Sequence, residues 1–111
     1  MAAAPPSPNL HVAIYPKPGK ESRVLEVAKK HAEQVKAHEP WISMYRVVAG
    51  KNLDGKLEAY YIVARLDDMS KVHTRREMEH HKVTMKAIED EDLLNEPLKF
   101  SVLEEMSVWK R

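Results

Sequence analysis

The sequence predicts a single α+β domain in which one antiparallel sheet of four strands carries two helices on one side. Four segments have the composition of strands, with alternating apolar residues in the first and the last, and two others have the composition of helices, the first with apolar residues at steps of three and four. These segments follow the order strand, helix, strand, strand, helix, strand. At 111 residues the chain can hold one hydrophobic core and is too short for a second.

Residues 1–9 (MAAAPPSPN) are rich in alanine and proline, and they predict a flexible tail with nothing to bury. Residues 10–111 then form the single predicted domain. It starts with a strand at LHVAIY, residues 10–15, which PKPG ends. Its alternation places Leu10, Val12 and Ile14 on one face and His11, Ala13 and Tyr15 on the other.

The first helix is predicted from Lys20 to about His38, before Pro40. Its apolar stripe comprises Val24, Val27, Ala28, His31, Ala32 and Val35. Two further strands, WISMYRVV and LEAYYIVARL, flank the connection AGKNLDGK, whose Asp54-Gly55 pair is typical of a hairpin.

The second helix is predicted from about Met69 to Ile88, with a possible break between Met78 and His80. The acidic stretch EDEDLLNEP ends it, and a last strand follows from Leu98 to about Val108. This order is the ferredoxin-like βαββαβ arrangement. Because both helices cover the same side of the sheet, the other face still carries apolar residues, and a homodimer that buries this face is expected.

Charge and composition exclude several classes of function. With 18 Lys and Arg against 17 Asp and Glu, the two signs alternate and form no basic block, which argues against nucleic acid as a partner. The absence of cysteine excludes disulfides and thiolate metal sites. No apolar run approaches the ~20 residues that span a bilayer, and the start has no leader pattern. We expect no membrane partner and a cytoplasmic location, with leaderless export left open.

Three stretches resemble, in order and spacing, the antibiotic biosynthesis monooxygenase family of dimeric α+β barrels. They are HVAIYPKPGKESRVLEVAKKHAEQV, YYIVARLDDMSKVHTRREMEHHKVTMKAI and NEPLKFSVLEEM, and the resemblance covers about residues 10–106. It implies a homodimer in which each subunit has a cavity between its sheet and its helices. It also implies oxidation of a small, largely apolar substrate by O2 without flavin, metal or haem, as in the conversion of anthrones to quinones.

The family includes haem-degrading, isomerising and inactive relatives, so the resemblance leaves the reaction open. Haem degradation is disfavoured here because that branch relies on an Asn in the first strand and a Trp at the end of the third. Residues 10–15 contain no Asn and IVARLDD contains no Trp. The missing Trp is also a departure from the anthrone oxygenase site. The substrate implied is an aromatic polyketide or an oxylipin such as a jasmonate.

The pair His80 and His81 in TRREMEHHKVTMK is the predicted catalytic base. His80 is nearest to the histidine that the family carries on this helix, while His81 has the more apolar neighbours. An imidazole titrates near neutrality and can take a proton from a phenol or enol. The alternative is that both histidines are ordinary polar residues on a charged helix surface.

Seven further residues are predicted to contact the substrate: His11, Tyr15, Tyr45, Arg46, Tyr61, Arg65 and His73. Which face of the first strand lines the cavity is left open. No metal or other cofactor is expected, although His73, Glu77 and His80 share a helical stripe that could hold zinc or iron. The functional alternative is a non-redox barrel, either an isomerase or decarboxylase or a stress-response protein without catalysis.

Overall fold

The computed structural model describes residues 7–111, so residues 1–6 of the predicted tail lie outside the described residues. The strands are β1 (Leu10–Ile14), β2 (Ile42–Lys51), β3 (Leu57–Leu66) and β4 (Lys99–Val102). The helices are α1 (Glu21–His38), α2 (Lys71–Thr74) and α3 (Glu79–Asp90), and a 3-10 turn (Arg75–Glu77) lies between α2 and α3.

The four strands form one antiparallel sheet in the order β2-β3-β1-β4, which confirms the predicted fold class. The core lies between this sheet and the helices, where Val12 and Ile62 of the sheet join Val24 and Val27 of α1 in one buried cluster. The aliphatic face of β1 therefore faces the helices, which answers the question that alternation alone left open. His11 lies on the opposite, outer face, directly across from Val63 of β3.

The last strand is shorter than predicted. It ends at Val102, whose partner is Leu10, the first residue of β1. Within residues 7–111, β4 pairs with β1 alone, and the residues after Leu103 run past the beginning of this partner and its neighbour Asn9. The prediction of strand to Val108 is therefore wrong, and Met106, Val108 and Trp109 are exposed.

Asn9, assigned by the sequence to the tail, is buried and bound to β3. Its side chain donates to the carbonyl of Leu66 at 2.8 Å and accepts the Leu66 N–H at 2.8 Å. Its own carbonyl accepts the N–H of Leu103 at 2.8 Å. This residue thus joins the start of β1, the end of β3 and the segment that follows β4.

The predicted break in the second helix is observed at Met78, whose extended backbone (φ −76°, ψ 143°) separates the 3-10 turn from α3. His80 and His81 consequently lie in the first turn of α3 rather than in the middle of a long helix. Among residues 7–111, none of the helices is both long and apolar enough to cross a membrane.

Candidate functional site

A buried carboxylate organises the interior between α1 and α3. Glu39 follows the last residue of α1, where its N–H still donates to Val35. Pro40 stops the helix here because it cannot donate the next helical hydrogen bond. The Glu39 side chain is fully buried. An ionised carboxylate in this position must be paired, since an isolated buried charge is strongly unfavourable.

Three side chains from the broken second helix donate to Glu39. Arg75 of the 3-10 turn donates its Nε to Oε1. His80 and His81 both reach Oε2 through Nε2, at 2.8 Å and 3.0 Å. Because the carboxylate can only accept, both Nε2 atoms carry a hydrogen, and the Nδ1 atom of each neutral ring keeps its lone pair.

The negative charge of Glu39 and the positive charge of Arg75 balance each other. Burial raises the pKa of Glu39, but the hydrogen bonds from His81, Arg75 and His80 outweigh it and bring the pKa to about 2. Glu39 is thus an anion at neutral pH. The guanidinium of Arg75, itself buried, supplies the compensating positive charge.

His31 of α1 adds a further imidazole to this region. Its Nδ1 lies 2.7 Å from Oγ1 of Thr84 on α3, and its ring centroid is 4.5 Å from that of His81. Burial, together with the nearby His81, Arg75 and His80, lowers the pKa of His31 to about 3. His31 is therefore neutral in the folded protein and can exchange one hydrogen bond with Thr84.

A cavity of about 70 Å³ lies against these groups, between the sheet and the helices. Its walls are mainly aliphatic, contributed by residues such as Val12, Ile62 and Ile88, and its polar residues are His31, Tyr45, Arg75, His81 and Thr84. Burial raises the pKa of Tyr45 to about 12, so its hydroxyl stays protonated and can donate. A cavity that holds benzene measures about 150 Å³, so a molecule with one or more aromatic rings would extend from this cavity into an adjoining space.

Two open clefts adjoin this cavity. A cleft of about 550 Å³ beside β4 shares Arg75, His81, Met85 and Phe100 with the cavity wall. A groove of about 850 Å³ runs between α1 and α3 and is lined by His80 and His31. His81 therefore faces the cavity and the cleft beside β4, whereas His80 faces the groove between the helices.

The structure divides the predicted site residues between two sides of the sheet. His81 and Tyr45 line the cavity. His11 and Tyr61 lie on the outer face with ring centroids 5.0 Å apart. Arg46 lies on the same outer face, opposite Val63.

The remaining predicted residues are also outside the cavity wall. Arg65 lies across from Met44 on the outer side of the β2–β3 pair, and its Nε is 3.8 Å from Asp67. Tyr15 follows β1, and its carbonyl accepts the N–H of Asn95. His73 is exposed, contacts Arg76 at 3.1 Å and lines the cleft beside β4.

The helical stripe of His73, Glu77 and His80 does not form, because the extended backbone at Met78 interrupts the helix between Glu77 and His80. The carboxylate that accepts hydrogen bonds from the histidines is Glu39, which the sequence did not indicate. Glu39 is separated from its partners by 36 to 42 positions, so no local spacing could have indicated it. The only local signal was an acidic residue between a helix end and Pro40.

Neither a protein-family sequence model nor a curated protein matches the chain. Solved structures do match its fold. A candidate antibiotic biosynthesis monooxygenase from Caulobacter crescentus is 17% identical, with a TM-score of 0.73 over 89% of each chain. A candidate antibiotic biosynthesis monooxygenase from Nitrosomonas europaea is 14% identical, with a TM-score of 0.70 over 88% of this chain and 97% of the other.

A Mycobacterium tuberculosis protein, Rv0793, is 17% identical, with a TM-score of 0.71 over 94% of this chain and 100% of its own. These likenesses establish the fold, and the chain spans nearly the whole length of each structure. They agree with the resemblance drawn from the sequence, which was to the same fold.

Proposed function

We propose that this chain is a member of the antibiotic biosynthesis monooxygenase family and oxidises a small, largely apolar organic molecule with O2, without flavin, metal or haem. The observation that carries this proposal is the pair of Glu39 and His81 at the wall of an apolar cavity. The resemblance in sequence and the shared fold support the choice of reaction class.

His81 is the base in this proposal. Its Nε2–H is donated to Glu39, which fixes the ring and leaves Nδ1 to accept a proton, as a carboxylate does for the histidine of hydrolytic triads. His80 makes the same bond but faces the groove between the helices, so it holds Glu39 in place rather than contacting substrate. The sequence left these two histidines as alternatives, and their different surroundings favour His81.

The reaction begins with transfer of a proton from an activated methylene group of the substrate to Nδ1 of His81. The resulting carbanion gives one electron to O2, and the substrate radical combines with superoxide to form a C–O bond. Protonation yields a hydroperoxide, and loss of water breaks the O–O bond. The net change converts one methylene group and one O2 into one ketone and one water, and it balances without another reductant.

This balance of electrons favours an aromatic polyketide of the anthrone type over a jasmonate as the substrate. Hydroxylation of an unactivated C–H group with O2 consumes two additional electrons, whereas an anthrone supplies all the electrons itself. The neutral Tyr45 hydroxyl and the Arg75 guanidinium at the cavity wall suit the oxygen of the enolate that forms on deprotonation.

The proposal is tested by oxygen uptake with a panel of anthrones, hydroquinones and oxylipins in chelator-treated buffer. We expect turnover without added cofactor, and a fall of about 10²- to 10⁴-fold in kcat/KM for His81→Ala. His80→Ala is expected to retain more activity, and Lys82→Ala, an exposed neighbour on the same turn, serves as the matched control. Equal activity of His81→Ala and Lys82→Ala would rule out the assigned base.

A non-redox reaction is the second candidate, because His31 and Thr84 provide a proton-transfer pair beside His81. An isomerase moves a proton between two carbons, and a second polar pair beside the base would help to orient the substrate or return the proton, whereas the proposed oxygenase uses only one base. Turnover that persists under anaerobic conditions and falls in Thr84→Val would support this reaction in place of oxygenation.

The outer face of the sheet supports a homodimer as the working form. Ala13, Tyr61 and Val63 give this face an apolar centre, and helices cover only the opposite side. Apolar surface of this kind on a sheet is commonly buried against a second copy.

A further inference from the structure

The histidines of this chain are concentrated around one carboxylate. Four of them form a continuous cluster, in which ring centroids are 4.5 Å apart for His80 and His81, 4.5 Å for His31 and His81, and 5.4 Å for His38 and His80. Within it, Oε2 of Glu39 and the Nε2 atoms of His80 and His81 all lie within 4.8 Å of one another. If the role of these contacts were only structural, one imidazole donor to this carboxylate oxygen would be enough. A structural role therefore does not explain why two imidazoles contact the same oxygen.

We propose that Glu39, His80 and His81 form a binding site for one divalent transition-metal ion. Two imidazoles and one carboxylate are the ligand set of mononuclear iron sites and of many zinc sites. The residues form this set from distant parts of the chain, and it differs from the stripe of His73, Glu77 and His80 that the sequence suggested.

The separations of the ligand atoms suit an ion that binds them at right angles. Metal–ligand distances of about 2.1 Å with angles near 90° place neighbouring ligand atoms about 3.0 Å apart. The two imidazole nitrogens lie 2.8 Å and 3.0 Å from Oε2. An ion would therefore take the place of the two shared hydrogens, and each imidazole ring would turn so that its Nε2 lone pair points at the ion.

The surroundings also provide the usual support for such a site. Arg75 donates to Oε1, the other oxygen of Glu39, and so fixes the carboxylate while Oε2 remains for the ion. The ion would add to the positive charge of Arg75, which limits affinity and favours metals with a strong preference for imidazole. His80 lines the groove between α1 and α3, which gives the ion a path from solvent.

Metal binding requires each ring to offer a lone pair at Nε2, so the proton of each neutral ring moves to Nδ1. An ion would thus remove the lone pair at Nδ1 of His81 that serves as the base in the proposed oxygenation. The metal-free protein is the oxygenase in that proposal, and the metal-bound protein is inactive. Only this consequence for activity rests on the proposed function, since metal binding is measured without substrate.

The test uses full-length protein that has been treated with chelator and dialysed, titrated with CoCl2 and followed by visible absorption and by dialysis equilibrium. We expect one Co²⁺ ion to bind per chain. Zn²⁺ should displace it, because Zn²⁺ stands after Co²⁺ in the series of metal affinities for nitrogen ligands. His80→Ala and His81→Ala should each weaken binding at least tenfold. His73→Ala, an exposed histidine outside the cluster, is the matched control and should bind as the unaltered protein does.

Imidazole nitrogen NMR of the unaltered protein keeps the test decisive if a variant does not fold. Addition of Zn²⁺ should move the Nε2 signals of His80 and His81 and leave those of His11 and His73 in place. Absence of stoichiometric binding, or equal loss in His81→Ala and His73→Ala, overturns the metal site. If Co²⁺ binds as expected but chelated protein consumes no O2 with any substrate, the metal site stands and the proposed oxygenase fails.

Discussion

Glu39 determines how the interior of this protein can carry charge. Its fully buried side chain offsets the positive charge of Arg75 and accepts two imidazole N–H groups. Removing the charge while keeping the shape leaves the guanidinium buried without a counterion. Such losses are large because the remaining charge is not solvated.

Glu39→Gln is therefore expected to lower the free energy of unfolding by about 3 to 5 kcal/mol. Urea denaturation followed by circular dichroism measures this change. Glu33→Gln, at an exposed position of α1, is the matched control and should change the free energy by less than about 0.5 kcal/mol. A loss below about 1 kcal/mol in Glu39→Gln would show that Arg75 does not depend on this carboxylate.

We expect the stability of the folded protein to depend on pH because of His31. Its pKa of about 3 in the folded protein lies below the ordinary value of 6.5, so the unfolded chain binds this proton first as the pH falls. The contribution of His31 is complete above pH 6.5 and is lost as the pH falls toward 3. Between pH 6.5 and pH 4.5 the loss amounts to about 2 to 3 kcal/mol, at 1.36 kcal/mol for each pH step.

The measurement is the free energy of unfolding against pH in the presence of a chelator, for the unaltered protein and for His31→Asn. Asn offers Thr84 a hydrogen-bonding group near the position of Nδ1 but does not titrate. The curve of His31→Asn should be flatter over this range. Parallel curves would mean that the pKa of His31 is the same in the folded protein and in the unfolded chain.

Among the elements of the fold, the extended backbone at Met78 determines that His80 and His81 contact Glu39. A continuous helix over residues 69–88 would have placed His80 and His81 in its middle, pointing about 100° apart. Because α3 begins at Glu79, both histidines instead lie in its first turn and converge on Glu39. The sequence indicated a possible break between Met78 and His80, but it could not indicate the carboxylate at the end of another helix.

The sheet shows the same difference between features that follow from local sequence pattern and features that depend on contacts between distant elements. Alternation in LHVAIY and LEAYYIVARL indicated the strands and the division of β1 into two faces, since both follow from local period. It could not decide which face meets the helices, and so Tyr45 was grouped with Arg46, which points to the other side. The end of β4 was also missed, because it depends on where its partner β1 begins.

Met85 and Phe100 lie between the cavity and the cleft beside β4, since each lines both spaces. Met85→Ala should widen the passage between the two spaces and so enlarge the room for a molecule of more than one ring. We expect naphthalene-sized probes to bind several-fold more tightly to Met85→Ala than to the unaltered protein, as measured by calorimetry. Val83→Ala, exposed on the same helix, is the control, and equal affinity in all three proteins would place the binding cavity elsewhere.

At the scale of the whole molecule, one sheet separates two different environments. The helix side contains the core, the carboxylate with its donors and the cavity. The outer side carries Tyr61, Val63 and His11, and within residues 7–111 the helices lie on the other side of the sheet. The outer residues predicted to bind substrate are better placed to contact a second subunit, because they are on the far side of the sheet from the cavity.

A charge at the centre of the outer face should prevent dimer formation without unfolding the chain. Val63 is only half-buried, so Val63→Lys is expected to fold, while the added charge beside Arg46 opposes burial of this face in a dimer. Sedimentation velocity should give twice the mass of the chain for the unaltered protein and the mass of one chain for Val63→Lys. Val83→Lys, with the same change at an exposed position on the helix side, should remain dimeric. Dimers of Val63→Lys as stable as those of Val83→Lys would place the interface on another surface, and the outer face of the sheet would then need a different partner.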